Sequence, residues 1–268
     1  MAVTISSFAE LMHLEPHGPD TYVGVSPSYP WGRVYGGQVV AQGLLAAIRT
    51  VDPAYRLHSV HAYFIRGGDS DEPIRYEVDR IRNGRSFTTR LVVARQSNGA
   101  ILNLAASFHV DEDQADVQTA KLPEGIPGPD ECQTEDWGTL LQRRPVPAEP
   151  GSSRRAAWIR VKGPIDDDPV TQICALAYAS DDLPTEAASA DHPDLAADGH
   201  FGENFMGASL DHAVWFLRDA PADDWLLHVF DGQGLLGGRG LAFGHVFTPD
   251  GLHVASITQE ILLRRVRS

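Results

Sequence analysis

The chain has little that would tie it to an extracellular, membrane or nucleic-acid setting. Only two cysteines occur in 268 residues, Cys132 and Cys174. That is too few for a disulfide framework, so the expectation is a reducing, cytoplasmic compartment with Cys174 as a core residue of an apolar run. No stretch approaches the ~18 consecutive apolar residues of a membrane span. Met1 to Glu10 lacks a basic segment followed by a long apolar one, so a signal peptide is not expected. Positive charge is scarce: Lys and Arg number 22 against 36 Asp and Glu, a net charge of −14. That balance argues against nucleic acid or an anionic membrane as partner, though a few local arginines would still suffice for a small anion.

Several catalytic signatures are missing too. HExxH and paired cysteines are absent, so no zinc site is expected. G-x-S-x-G is absent, which removes the nucleophile-elbow hydrolases. Gly232-Gln233-Gly234-Leu235-Leu236-Gly237 has the spacing of a dinucleotide fingerprint. That fingerprint must open a helix, and Leu241 to Phe247 alternates like a strand, so the match is read as chance. His58 and His61 lie three apart on a predicted strand and face opposite sides, so they do not chelate together.

What is present is a repeat. In the first half, a short strand at 21–25 and a Pro/Gly/Trp-rich loop lead into Val39–Ile48, apolar almost all round and therefore a buried helix. Strands follow at about 57–65, 74–82, 86–96 and 100–110, with Ser97-Asn98-Gly99 as a hairpin signal. Acidic, Pro-rich residues 113–153 read as an extended linker. The second half repeats the order: a strand at 157–161, a helix opened by Asp166-Asp167-Asp168-Pro169, then a long polar loop from Ser180 to Met206. Strands at about 208–217, 225–231, 237–247 and 252–263 close it, with Thr248-Pro249-Asp250-Gly251 as the matching turn.

His61-Ala62 aligns with His212-Ala213, Asn98-Gly99 with Asp250-Gly251, Arg90 with Arg239, and His109 falls near Gln259. Two copies of one unit, each a sheet wrapped round a buried helix, give an α+β double hotdog: 1–112, linker, 154–268. In this alignment Asp211 stands where the first half has Val60, and Gln259 where it has His109. A carboxylate in a strand as bulky as Ser209–Phe216 is either hydrogen-bonded to nearby backbone or catalytic.

Four segments carry a resemblance. Val34-Tyr35-Gly36-Gly37-Gln38-Val39-Val40-Ala41-Gln42 resembles the FGGQVVAQ segment of the acyl-CoA thioesterase II (TesB-like) family. His58–Asp69, Leu210–Phe216 and Ala255–Glu260 are similar to its HSxHxYFLRPGD, DHSMWFHR and ASTVQE segments, in the same order. The resemblance implies a double hotdog that hydrolyses fatty acyl-CoA to free acid and CoA with no metal or cofactor. It also implies an Asp, a hydroxyl and a Gln around an activated water. Asp211 and Gln259 match the Asp and the Gln. The hydroxyl position falls on or near Gln233, and no Ser or Thr occurs between Trp225 and Phe247. On this reading Gln233 holds the water through its amide, or catalysis is weakened or lost and the chain is an acyl-CoA-binding protein. Gly36, Gly37 and Gln38, opening the buried helix, are expected to supply backbone N–H groups to the oxyanion, although Gly36-Gly37 also reads as a tight strand-to-helix turn.

A hotdog hydratase would use an Asp-x4-His pair, which here could only be Asp223 and His228, at the start of a strand. The 180–206 loop is expected to border the mouth of the substrate groove. A homo-oligomer of the fused pair is compatible with all of this.

Overall fold

A computed structural model describes residues 4–138, 140–190, 192–195 and 204–266. In the first half, β1 (Glu15–Pro16) and β2 (Thr21–Gly24) precede helix α2 (Gly36–Ile48). Then come β3 (Tyr55–Phe64), β4 (Ile74–Asn83), β5 (Phe87–Gln96) and β6 (Gly99–Val110). A short helix, α1 (Phe8–Leu11), buries Phe8 and Leu11 in the core. The second half runs β7 (Leu141–Val146), β8 (Arg154–Val161), α3 (Pro169–Ala179), α4 (Pro184–Ser189), β9 (Phe205–Ser209) and β10 (Asp211–Phe216). It ends with β11 (Leu226–Leu236), β12 (Arg239–Phe247) and β13 (His253–Arg265).

The two expected sheets are one. The strand order is β1-β2-β4-β5-β6-β3-β10-β13-β12-β11-β8-β7, with β9 on β13. β3 and β10 pair antiparallel at the centre, Val60 opposite Val214 and Ala62 opposite His212. Reading outward from that seam, each half repeats the other. This is the double hotdog with its two sheets fused along the edges that would otherwise be exposed.

Helices α2 and α3 are apolar nearly all round because both lie inside the curved sheet, packed side by side. A Cβ on Gly37 would fall on the Tyr178 carbonyl oxygen, so the N-terminus of α2 meets the C-terminus of α3. Glycine at 37 permits that approach. The two helices are capped differently. Asp168 caps α3 through Val170 and Thr171 N–H, at 2.9 and 3.0 Å, whereas Tyr35 makes no side-chain cap on α2.

The segment read as a linker is packed. Trp158, Leu227 and Val229 face outward from the second sheet and need cover. Leu122, Ile126 and Cys132 supply it, and Trp158 Nε1 donates to Pro127 O at 2.9 Å. Leu141–Val146, inside the same stretch, pairs with β8 as an edge strand. No helix among the described residues is long and apolar enough to cross a membrane.

Candidate active site

Two matched irregularities shape the sheet beside the seam. Ala213 faces Thr258 and Ser209 faces Ile261, so four steps along β9–β10 oppose three along β13. This is a β-bulge at Leu210, and its effect is to turn Ser209 onto the same face as His212 and Gln259. Without it, period-two alternation would place Ser209 with Asp211. A bulge also frees a ladder N–H. Asp211 Oδ1 takes the Glu260 N–H at 2.6 Å, which makes that carboxylate a clamp on the bulge.

On the inner face the side chains form one chain of hydrogen bonds. Gln259 is fully buried, and its Nε2 donates to Ser209 Oγ at 2.8 Å. Ser209 Oγ donates to Asp181 Oδ1 at 2.9 Å. Gln259 Oε1 lies 2.5 Å from His212 Nδ1, and His212 Nε2 lies 2.7 Å from Ser180 Oγ. The directions follow from Asp181, which as a carboxylate only accepts. Ser209 spends its proton there, so Gln259 must turn its amide toward Ser209 and its carbonyl toward His212. Nδ1 of His212 then carries the proton, and Nε2 accepts from Ser180. Burial holds His212 neutral, its pKa lowered to about 4, in keeping with this assignment.

Asp181 follows the C-terminus of α3 and is 7% exposed. Burial pushes its carboxyl up to about 6, against the opposing pull of Ser209, Gln259 and the Gly37 N–H. The carboxylate thus caps α2 from outside, at the helix end Tyr35 leaves open. A Cβ on Gly36 would sit 2.5 Å from Asp181 Oδ2 and 2.9 Å from the Phe64 ring. Glycine at 36 therefore lets the start of α2 lie directly against the carboxylate and the Phe64 ring. Asp182, its neighbour, turns away: it pairs with Arg143 at 3.2 Å and accepts from Trp137 Nε1.

Of the sequence-predicted site residues, Gln259, Gly36 and Gly37 gather here. Asp211 belongs to the opposite face of the sheet. Gln233 lies on the exposed β11–β12 hairpin, where its Nε2 donates to Asp231 O at 3.0 Å. Gln38 is buried, but its side chain is engaged elsewhere: Oε1 accepts from Ser26 and Tyr29, and Nε2 donates to Val25 O. Its backbone N–H stays in the first turn of α2. Asp181 and Ser209 were not found from the sequence. Asp181 lies in what reads as a polar loop, and Ser209 is turned inward only by the bulge. Part of that loop, 196–203, lies outside the described residues. Asp223 and His228 are not partners: Asp223 accepts from Ile165 N–H at 3.4 Å, while both His228 ring nitrogens are buried without a hydrogen bond.

The structure also corrects the alignment of the halves. Ile65 and Arg66 N–H donate to Ile101 O, and Leu217 and Arg218 N–H donate to Val254 O. These bonds fix an offset of 152 on β3–β10 and 153 on β6–β13. Leu57, Val60 and Ala106 then correspond to Ser209, His212 and Gln259. The His-Ala dipeptides that suggested Val60 for Asp211 and His109 for Gln259 are misaligned by that count. The first half carries the same bulge, between Leu57 and Ser59. Thr50 Oγ1 and Ser180 Oγ lie 2.8 and 2.9 Å from the carbonyl oxygen three residues back, the same place in each half, which sets Val51 opposite Asp181. The polar set of one half is aliphatic in the other.

Comparison with known proteins agrees with this architecture. Residues 25–109 match the family profile of the acyl-CoA thioesterase N-terminal domain, and residues 111–263 that of the acyl-CoA thioesterase C-terminal domain. The chain is 31% identical to acyl-CoA thioesterase 2 of Haemophilus influenzae, over 98% of this chain and 99% of that one. It is 30% identical to human acyl-coenzyme A thioesterase 8, over 95% of this chain and 88% of that one. Among solved structures, acyl-CoA thioesterase II TesB2 of Mycobacterium marinum superposes with a TM-score of 0.85 at 38% identity, over 97% of this chain and 98% of that one. The chain belongs to the acyl-CoA thioesterase II (TesB-like) family of double hotdogs.

Proposed function

We propose that this acyl-CoA thioesterase hydrolyses fatty acyl-CoA with Asp181 as general base, Ser209 and Gln259 holding the water, and the first turn of α2 receiving the oxyanion. The observation that carries the assignment is the hydrogen-bonded convergence of Ser209 and Gln259 on Asp181 at the start of α2. The attacking water sits against the Asp181 carboxylate. Its oxygen attacks the thioester carbonyl carbon while Asp181 takes its proton. The negative charge forming on the carbonyl oxygen is met by the Gly36 and Gln38 N–H groups, the first-turn donors that Asp181 leaves free, and by the helix dipole. The tetrahedral intermediate collapses, the C–S bond breaks, and the CoA thiolate recovers the proton from Asp181. Acid and CoA leave, and the carboxylate is restored.

A base works best with a pKa near the working pH. The burial that raises Asp181 to about 6 meets that need, while Ser209 and Gly37 keep it from rising further. His212 does not touch the water. It fixes which end of the Gln259 amide faces Ser209. With Ser209 in the hydroxyl position, the missing hydroxyl near Gln233 no longer argues for lost catalysis. The free thiols of Cys132 and Cys174 support a cytoplasmic setting.

The test is Asp181→Asn with a thiol trap for released CoA. Loss of a positioned base lowers kcat by roughly 10²- to 10⁴-fold. Turnover within threefold of wild type would remove Asp181 from the reaction.

A further inference from the structure

The catalytic site sits between the start of α2 and the seam strands, and its twofold mate lies between the start of α3 and the same seam. That mate is an open cleft of about 600 Å³. Leu57, Ile173, Leu176 and Phe216 line it, where Ser209 and Phe64 stand as the counterparts of Leu57 and Phe216 in the catalytic half. Every group that performs chemistry in one half is missing from the other. Val51, Leu57, Val60 and Ala106 replace Asp181, Ser209, His212 and Gln259. The helix end that would receive an oxyanion is filled by Asp168. What persists is the bulge, the helix start and the phenylalanine.

We propose that this second cleft binds the aliphatic chain of a second fatty acyl molecule without hydrolysing it. The inference rests on acyl-CoA being the family's substrate, because the cleft stands at the twofold-related position with the reacting groups exchanged for aliphatic ones. Its rim points to the chain as the recognised part. Arg56 is paired with Asp219, and Arg218 with Asp116 at 3.0 Å, so both guanidinium groups are already engaged. Apolar walls are the larger part of the surface offered to a ligand, with His58, His109, Asp111, Asp167 and Gln172 on the same lining. Helix α3 runs from this cleft at Pro169 to Ala179, two residues before Asp181, about 16 Å at helical rise. A chain lodged against Ile173 and Leu176 therefore leans on the helix that carries the base.

The test is binding stoichiometry on the full chain, with the hexadecyl thioether of CoA, which cannot be hydrolysed, and with hexadecanoate. The thioether is expected to bind at two equivalents per wild-type chain. Filling the cleft from two different walls, with Ala220→Trp and with Ile173→Phe, is expected to reduce this to one and leave hydrolysis at low substrate within twofold. Hexadecanoate filling the second equivalent assigns it to the chain alone; filling by the thioether only assigns it to the intact acyl-CoA. One equivalent on wild type, or two retained on both filled variants, overturns the proposal. A photoreactive acyl chain gives a readout that needs no variant: label is expected on Phe216–Pro221, and its absence there is equally fatal. Failure of the catalytic assignment would show instead as unchanged turnover in Asp181→Asn, whatever the stoichiometry.

Discussion

On the proposed mechanism the pH dependence of turnover is set by the buried Asp181 carboxyl, and removing one of its hydrogen bonds has a calculable effect. The base must be ionised to accept a proton, so activity belongs above its pKa and is lost as pH falls through it. With Asp181 at about 6, about 90% is ionised at pH 7 and about 10% at pH 5, so kcat/KM falls about tenfold across that interval. Ser209 is one of the groups holding the value down. A hydrogen bond to a charged group contributes about 1.5–3 kcal/mol, and 1.36 kcal/mol corresponds to one pKa unit. Ser209→Ala should therefore move the inflection of kcat/KM upward by about one to two units, besides lowering the plateau. Asp211→Asn, on the other face of the sheet, should leave the inflection in place. A dipyridyl disulfide trap reports released thiol down to acid pH and makes the profile measurable. A wild-type profile flat from pH 5 to 7, or a Ser209→Ala inflection that does not move, would refute the assignment of the base.

Other expectations concern single positions. Gly36→Ala puts a methyl group against Asp181 Oδ2 and Phe64, so kcat should fall at least tenfold in the thiol assay with little change in thermal midpoint. Gln233→Ala and Asp211→Asn should each turn over within twofold of wild type; an Asn at 211 still offers an oxygen to the Glu260 N–H. His228 is buried without partners and its pKa is lowered to about 3. The unfolded chain, with histidine near 6.5, binds the proton that the folded chain refuses. Stability is thus present above about 6.5 and lost as pH falls below it, by about 2 kcal/mol between pH 7 and pH 5. Urea titrations should show that loss shrinking by about 2 kcal/mol in His228→Leu; an unchanged pH dependence would place water or a charge beside the ring.

The repeat was legible because it is written in hydrophobic period and turn residues. Val39–Ile48 and Val170–Ala179 are apolar nearly all round, and each meander strand alternates with its turn where Gly or Asp-Gly falls. β7 was not legible, because Leu141–Val146 is short, holds Pro145 and lies on the sheet edge. The proposed active site was half legible. Gln259 sits in a regular strand whose facing can be counted. Ser209 precedes a bulge, and a bulge reverses any count made through it. Asp181 lies in a turn with no periodicity at all, next to a second aspartate. Asp211 drew attention because a carboxylate in a bulky strand needs a reason; the reason is the Glu260 N–H freed by that same bulge.

The paired bulges also bear on how such a protein could be remade. The half without chemistry keeps the irregularity at Leu57–Ser59, so the irregularity belongs to the way two units join and not to the reaction. Catalysis then occupies a kink the joint already required. A second reactive centre would not need a new strand: Val51, Leu57, Val60 and Ala106 already stand where an acid, a hydroxyl, an imidazole and an amide would have to be placed, and Asp168 and Pro169, which close the start of α3, would have to go.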